Sequence, residues 1–155
     1  MRSIPSSSLR RTMAITRHDT KFNLRFAKAM PHLTMESIAS EKLSDDLYRI
    51  TAVVGNLGYL PTNLTDEALT LKVDHPVTLT MEGGEVVEGK QVTEIGNLSG
   101  YSRTLTGYGY GNLTTWENAP AKKKVSWIVK GKPGNTLVIK AASEKAGTAE
   151  KSIQL

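Results

Sequence analysis

The sequence predicts an all-β fold, a two-sheet immunoglobulin/fibronectin-like sandwich of about 7–9 strands with one short helix. Three observations carry this expectation. Apolar residues recur with a period of two in short runs, turn formers separate those runs at regular spacing, and a single stretch has helical character. The chain has 155 residues, enough for one domain with a real core. It has no cysteine, so neither a disulfide nor a thiolate metal site holds it together.

Residues 1–19 read as a basic, disordered leader and residues 20–155 as the sandwich domain. Residues 1–28 carry seven basic side chains against Asp19 alone, a balance of +6, whereas the other 127 residues hold 13 basic and 14 acidic ones, a balance of −1. A basic tail can meet anionic polymers or membranes, but a solvated leader is the favoured reading. The near-neutral remainder argues against a nucleic-acid surface. No run approaches the length of a membrane span, and the leader has no apolar stretch of the kind a signal peptide needs.

Within the domain, Phe22, Leu24 and Phe26 alternate with Asn23 and Arg25, which predicts a strand with one buried face. Pro31 ends that segment. His32 to Leu43 then reads as a strand with Leu33, Met35 and Ser37 on one side, and Asp45-Asp46 turns it into a second strand, Tyr48 to Val54, whose even-numbered residues are apolar. Thr65 to Lys72 is the helix, with Thr65 as N-cap and Asp66 and Glu67 suited to its positive end. Val77, Leu79 and Met81 alternate again; Glu82-Gly83-Gly84-Glu85 turns into Val86-Val87, and Gln91 to Ile95 is a further short strand. Three strands close the chain: Lys124–Lys130 with Trp127 in the core, Thr136–Ala142, and Thr148–Leu155.

Chemistry is hard to find. His18, His32 and His75 show no His-x-x-Glu or His-Glu-x-x-His spacing, and each reads as structural or solvated. There is no Gly-x-Ser-x-Gly elbow and no phosphate-cradling loop, and Gly107 to Gly111 lacks the strand–helix setting of a dinucleotide site. Asp45-Asp46 and Glu82/Glu85 are the acidic pairs open to a calcium reading, and solvated turns are their commoner role. Asn63, Asn97 and Asn112 each begin a glycosylation sequon. The site-like feature is the glycine-rich aromatic segment 96–120. There Tyr101, Tyr108, Tyr110 and Trp116 form a candidate ligand or interface surface, with edge cover as the structural alternative. No catalytic, metal or cofactor residue is expected in this chain.

Leu47 to Val54 followed by Asn56, Gly58, Tyr59, Pro61 and Thr62, in the run Asn-Leu-Gly-Tyr-Leu-Pro-Thr-Asn-Leu, resembles the C-terminal non-catalytic β-sandwich domain of bacterial zinc carboxypeptidases. The segments around Phe22 to Ala27, Pro31 to Leu33, Ile95 to Leu98, Trp127 to Gly131 and Ala142 to Thr148 extend the likeness over roughly residues 20–155. The resemblance implies a metallopeptidase accessory domain that supports or orients an adjacent peptidase domain. Zinc and proteolysis would then belong to that absent domain, and the parent would be secreted or tied to the cell envelope. The alternative reading is an independent module for cell-wall glycan or peptide built on segment 100–116.

Overall fold

The computed structural model describes residues 19–101 and 121–155. Residues 19–29 form helix α1, followed by strands β1 (Leu33–Lys42) and β2 (Leu47–Asn56), helix α2 (Asp66–Thr70), and strands β3 (Val77–Glu82), β4 (Glu85–Glu88), β5 (Val92–Gly96), β6 (Lys122–Lys130), β7 (Thr136–Ser143) and β8 (Gly147–Gln154). The strands form two antiparallel four-stranded sheets, β1-β2-β6-β4 and β5-β3-β7-β8. The fold is therefore an all-β two-sheet sandwich. With β1, β2, β6 and β4 as A, B, E and D, and β3, β7 and β8 as C, F and G, this is the order of an immunoglobulin constant-type sandwich, with β5 added on the free edge of C.

The period-two runs supply the core. Tyr48, Ile50, Ala52 and Val54 of β2 face Val77, Leu79 and Met81 of β3 and Leu137, Ile139 and Ala141 of β7 in one buried cluster with Trp127 and Val129 of β6. Trp127 lies opposite Ile50 in the ladder and its indole N–H donates to the Lys90 carbonyl at 3.0 Å, so its one polar atom is satisfied inside the core. Between β3 and β4 the chain crosses from one sheet to the other. A Cβ on Gly84 would meet Val129 at 2.5 Å and Leu137 at 2.8 Å, side chains from both sheets that would have to shift, so the crossing favours glycine.

Three expectations are corrected. Residues 22–26 are helical, not extended, and Phe22, Leu24 and Phe26 are exposed instead of forming a buried strand face. The spacing fits both periods: Phe22 and Phe26 are also one helical turn apart, and their rings stack at 6.5 Å. Ser37 is not on the inner face. The register slips between Met35 and Ser37, so Glu36 is an extra bulge residue and Ile38 becomes the next to pack against the core. The expected helix is shorter, and Thr65 occupies its N-cap position with extended backbone but makes no side-chain cap hydrogen bond.

The β1–β2 connection is the acidic turn that Asp45-Asp46 suggested. Leu43 N–H donates to the Leu47 carbonyl at 2.9 Å, Asp45 pairs with Lys42, and Asp46 pairs with Lys130. These carboxylates are committed to neighbouring lysines, not gathered as metal ligands.

Candidate functional site

The residues of the corner motif meet at one pole of the sandwich, where β2 ends, β1 and β6 begin, and the loop after β5 crosses beneath them. Asn56 is its centre. Its side chain is buried, and its Oδ1 accepts from His32 N–H at 2.8 Å and Gly58 N–H at 2.9 Å. Its Nδ2 donates to the Leu60 carbonyl at 2.8 Å and the Ser99 carbonyl at 3.3 Å. One amide thus fills its two donor and two accepting positions and ties together the start of β1, the corner itself and the loop after β5.

Thr62 forms the second tier. Its N–H donates to the Leu98 carbonyl, its hydroxyl accepts from Leu98 N–H at 3.0 Å, and the same hydroxyl donates to Asn97 Oδ1 at 3.1 Å. Asn97 Nδ2 reaches Asp74 Oδ2 at 2.8 Å, which anchors the segment after α2. The clamp holds Leu98 fully buried as the plug of the core at this pole. Pro61 is buried, whereas Tyr59 is 40% exposed. Two glycines set the closeness of the chains. A Cβ on Gly58 would lie 2.3 Å from the Met30 carbonyl oxygen and 2.5 Å from Pro31 Cα, and one on Gly100 would lie 2.3 Å from the Tyr59 carbonyl oxygen.

Helix α1 is joined to this corner at its C-terminal end. Pro31 prevents the helix from continuing through Met30, the Met30 N–H tightens the last turn onto the Ala27 carbonyl, and the orphan Ala29 carbonyl accepts from Leu60 N–H at 2.9 Å. Every residue from 21 to 28 is exposed. Of the twelve large hydrophobic residues exposed among the described residues, nine lie at this pole: three on α1, three on the α2 segment, and Leu57, Tyr59 and Tyr101 around the corner.

Charge near the pole is locally paired. The bulged Glu36 sits 2.7 Å from Lys122 Nζ, and the hydrogen bond and charge of Glu36 hold the Lys122 ammonium above its ordinary pKa of 10.5. Lys123 turns the other way, and its ammonium donates to the Ile95 carbonyl. The sequons at Asn63 and Asn97 have their amides engaged within the corner, Asn63 on the Thr65 carbonyl and Asn97 between Thr62 and Asp74.

Among the candidate aromatic residues, Tyr101 lies at the pole, its N–H donating to the Gly58 carbonyl at 3.1 Å. Tyr108, Tyr110 and Trp116, like the third sequon and the leader 1–18, lie outside the described residues. The described residues contain no group of three or more His, Asp or Glu side chains placed to hold a metal ion. Sequence reasoning found the corner by its turn formers but missed the hub. A lone buried Asn after a strand of alternating apolar residues leaves no periodic signal, because its partners lie up to 43 residues away.

No curated protein matches the chain. Among solved structures it is similar to the archaellum periplasmic stator protein FlaG from Sulfolobus acidocaldarius, with 11% identity over 79% of this chain and 99% of that one, and a TM-score of 0.34. A complex of the stator proteins FlaF and FlaG from the same organism matches at 12% identity over 79% of this chain and 88% of that one, again with a TM-score of 0.34. These findings overturn the expected carboxypeptidase accessory domain, along with the zinc peptidase parent and the peptidase, cell-wall glycan or peptide partners attached to it. Both of these structures are of archaellum stator proteins, not of peptidase domains. The corner that carried the resemblance has a local physical cause: Gly58 is dictated by the approach of Met30 and Pro31, and Asn56 and Thr62 by unpaired backbone groups. Such demands arise in any sandwich with this turn. With a family model matching residues 32–154, the chain belongs to the family described as a domain of unknown function, DUF8731.

Proposed function

We propose that this chain is a non-catalytic immunoglobulin-like module that presents helix α1 from a fixed corner and works by contact at that pole. The observation that carries the reading is the contrast within one segment. Residues 21–28 are all exposed, while the four residues that follow are pinned by the Leu60 bond to Ala29, by Gly58 packed beneath Met30 and Pro31, and by Asn56 on His32. Apart from the Ser99 hydroxyl, which is buried without a hydrogen-bond partner among the described residues, the polar side chains that converge here are engaged in holding the corner, which leaves little for acid–base or nucleophilic work. Exposed apolar side chains cluster at the same pole, as they do on surfaces that meet a partner.

Spin labels at Lys28 and Lys124, one on α1 and one on β6, test the presentation. A narrow distance distribution in the parent chain that broadens in Asn56→Ala is the expected result. A distribution equally broad in both proteins overturns the reading, since α1 would then swing freely whatever the corner does.

A further inference from the structure

Helix α1 has two sides of different chemistry. Lys21, Arg25 and Lys28 recur at helical spacing and form one basic stripe, all three exposed. Phe22 and Phe26 flank that stripe on one side and Leu24 on the other, at 68%, 57% and 60% exposure. The side turned away carries Asp19, Asn23 and Ala27. Half of the helix is therefore cationic and apolar together, and that half is left uncovered by the sandwich.

We infer that α1 is a surface-seeking helix that lies along an anionic lipid bilayer. The inference rests on the reading above, that the corner holds α1 clear of the sheets. Charge complementarity selects the occupant: the three basic side chains meet lipid phosphates while the flanking Phe and Leu side chains enter the headgroup boundary. Phe22 and Phe26 lie near each other, with ring centroids 6.5 Å and ring planes 16° apart, and form one exposed apolar patch beside the stripe. Residues 29–155, which include the whole sandwich, carry −1 and gain nothing from an anionic surface, which orients the sandwich away from it. No helix among the described residues is long and apolar enough to cross a membrane, and α1 is placed to lie on one instead.

The test is sedimentation of the full chain with vesicles of phosphatidylcholine alone or mixed with phosphatidylglycerol. Binding is expected only to the mixed vesicles and should weaken with salt. Each basic side chain near such a surface contributes about fivefold, so the triple variant Lys21→Gln/Arg25→Gln/Lys28→Gln should bind roughly a hundredfold more weakly. Phe22→Ser/Phe26→Ser should also bind more weakly, and Phe26→Trp should shift its fluorescence to the blue on mixed vesicles. All these residues are exposed, so circular dichroism should show the sandwich intact. Equal binding to neutral vesicles, undiminished binding by the triple variant, or a preference for duplex DNA over lipid overturns the inference. A narrow spin-label distribution without lipid binding sinks the lipid assignment alone, whereas lipid binding with a broad distribution sinks the fixed corner alone.

Discussion

Asn56 illustrates how one side chain decides the shape of a pole. Truncation to Ala removes four hydrogen bonds and leaves two backbone donors and two carbonyls without that partner in a buried place, which should cost about 3 kcal/mol in denaturant unfolding. Gly58→Ala should cost about 2 kcal/mol by another route, since its Cβ meets backbone that cannot rotate aside. The pair of variants separates hydrogen bonding from steric fit in the same corner. The Glu36–Lys122 pair makes a smaller claim. Because the Lys122 pKa is raised on folding, its contribution is fully present below the unfolded value of 10.5 and is lost as pH rises through the raised one. Both partners are solvent-accessible, so the effect is modest. The unfolding midpoint of the parent should fall more steeply above pH 10.5 than that of Glu36→Gln. Residues of this kind were legible only in part. Gly58 and Pro61 announce a turn by their backbone preferences, but the meaning of Asn56 depends on Ser99, and no local pattern links the two.

At the scale of elements, the central strands β2, β3 and β7 were legible because they keep alternation against a single core. Val77, Leu79 and Met81, or Leu137, Ile139 and Ala141, have no competing reading, and all six are fully buried. Elements that leave the core lose that signal. In α1 the alternation of Phe22, Leu24 and Phe26 spans only five residues, too few to separate a period of 2 from one of 3.6, and no burial enforces either. In β1 the bulge at Glu36 shifts the inner face from Met35 to Ile38, a change that periodicity reads as noise. Helix α2 offers a direct test of element-level design. Its end is a Schellman closure: Lys72 N–H bonds to Leu69, Val73 N–H bonds to Ala68, and Lys72 takes a φ of 54°. That left-handed position favours glycine, so Lys72→Gly should raise stability by about 0.5–1 kcal/mol in thermal or urea unfolding. A loss of stability instead would mean that the Lys72 side chain matters more than its backbone.

For the whole molecule, the order of the sheets separates what is near in sequence from what is near in space. β1 and β2 form a local hairpin, but the partner of β2 on its other side is β6, as when Thr51 meets Ser126, 75 residues later, through their hydroxyls. β3 likewise waits for β7. A chain emerging from the ribosome therefore holds the β1–β2 hairpin with the β2 edge bare until β6 has been made. Folding should accordingly be a single, late event, slow for its size because most of its pairings close long loops. Pulse-labelled amide exchange during refolding should show β2, β3, β6 and β7 becoming protected together; early protection of β2 alone would contradict this. The Asn56 hub inherits the same delay. Its first bonds lie within the corner, but the one to Ser99 comes only when the second sheet is placed. The nascent chain thus carries an exposed, cationic helix before β6 and β7 complete the support beneath it, and the corner acts as a timer: its last bond, to Ser99, closes only once both sheets are in place.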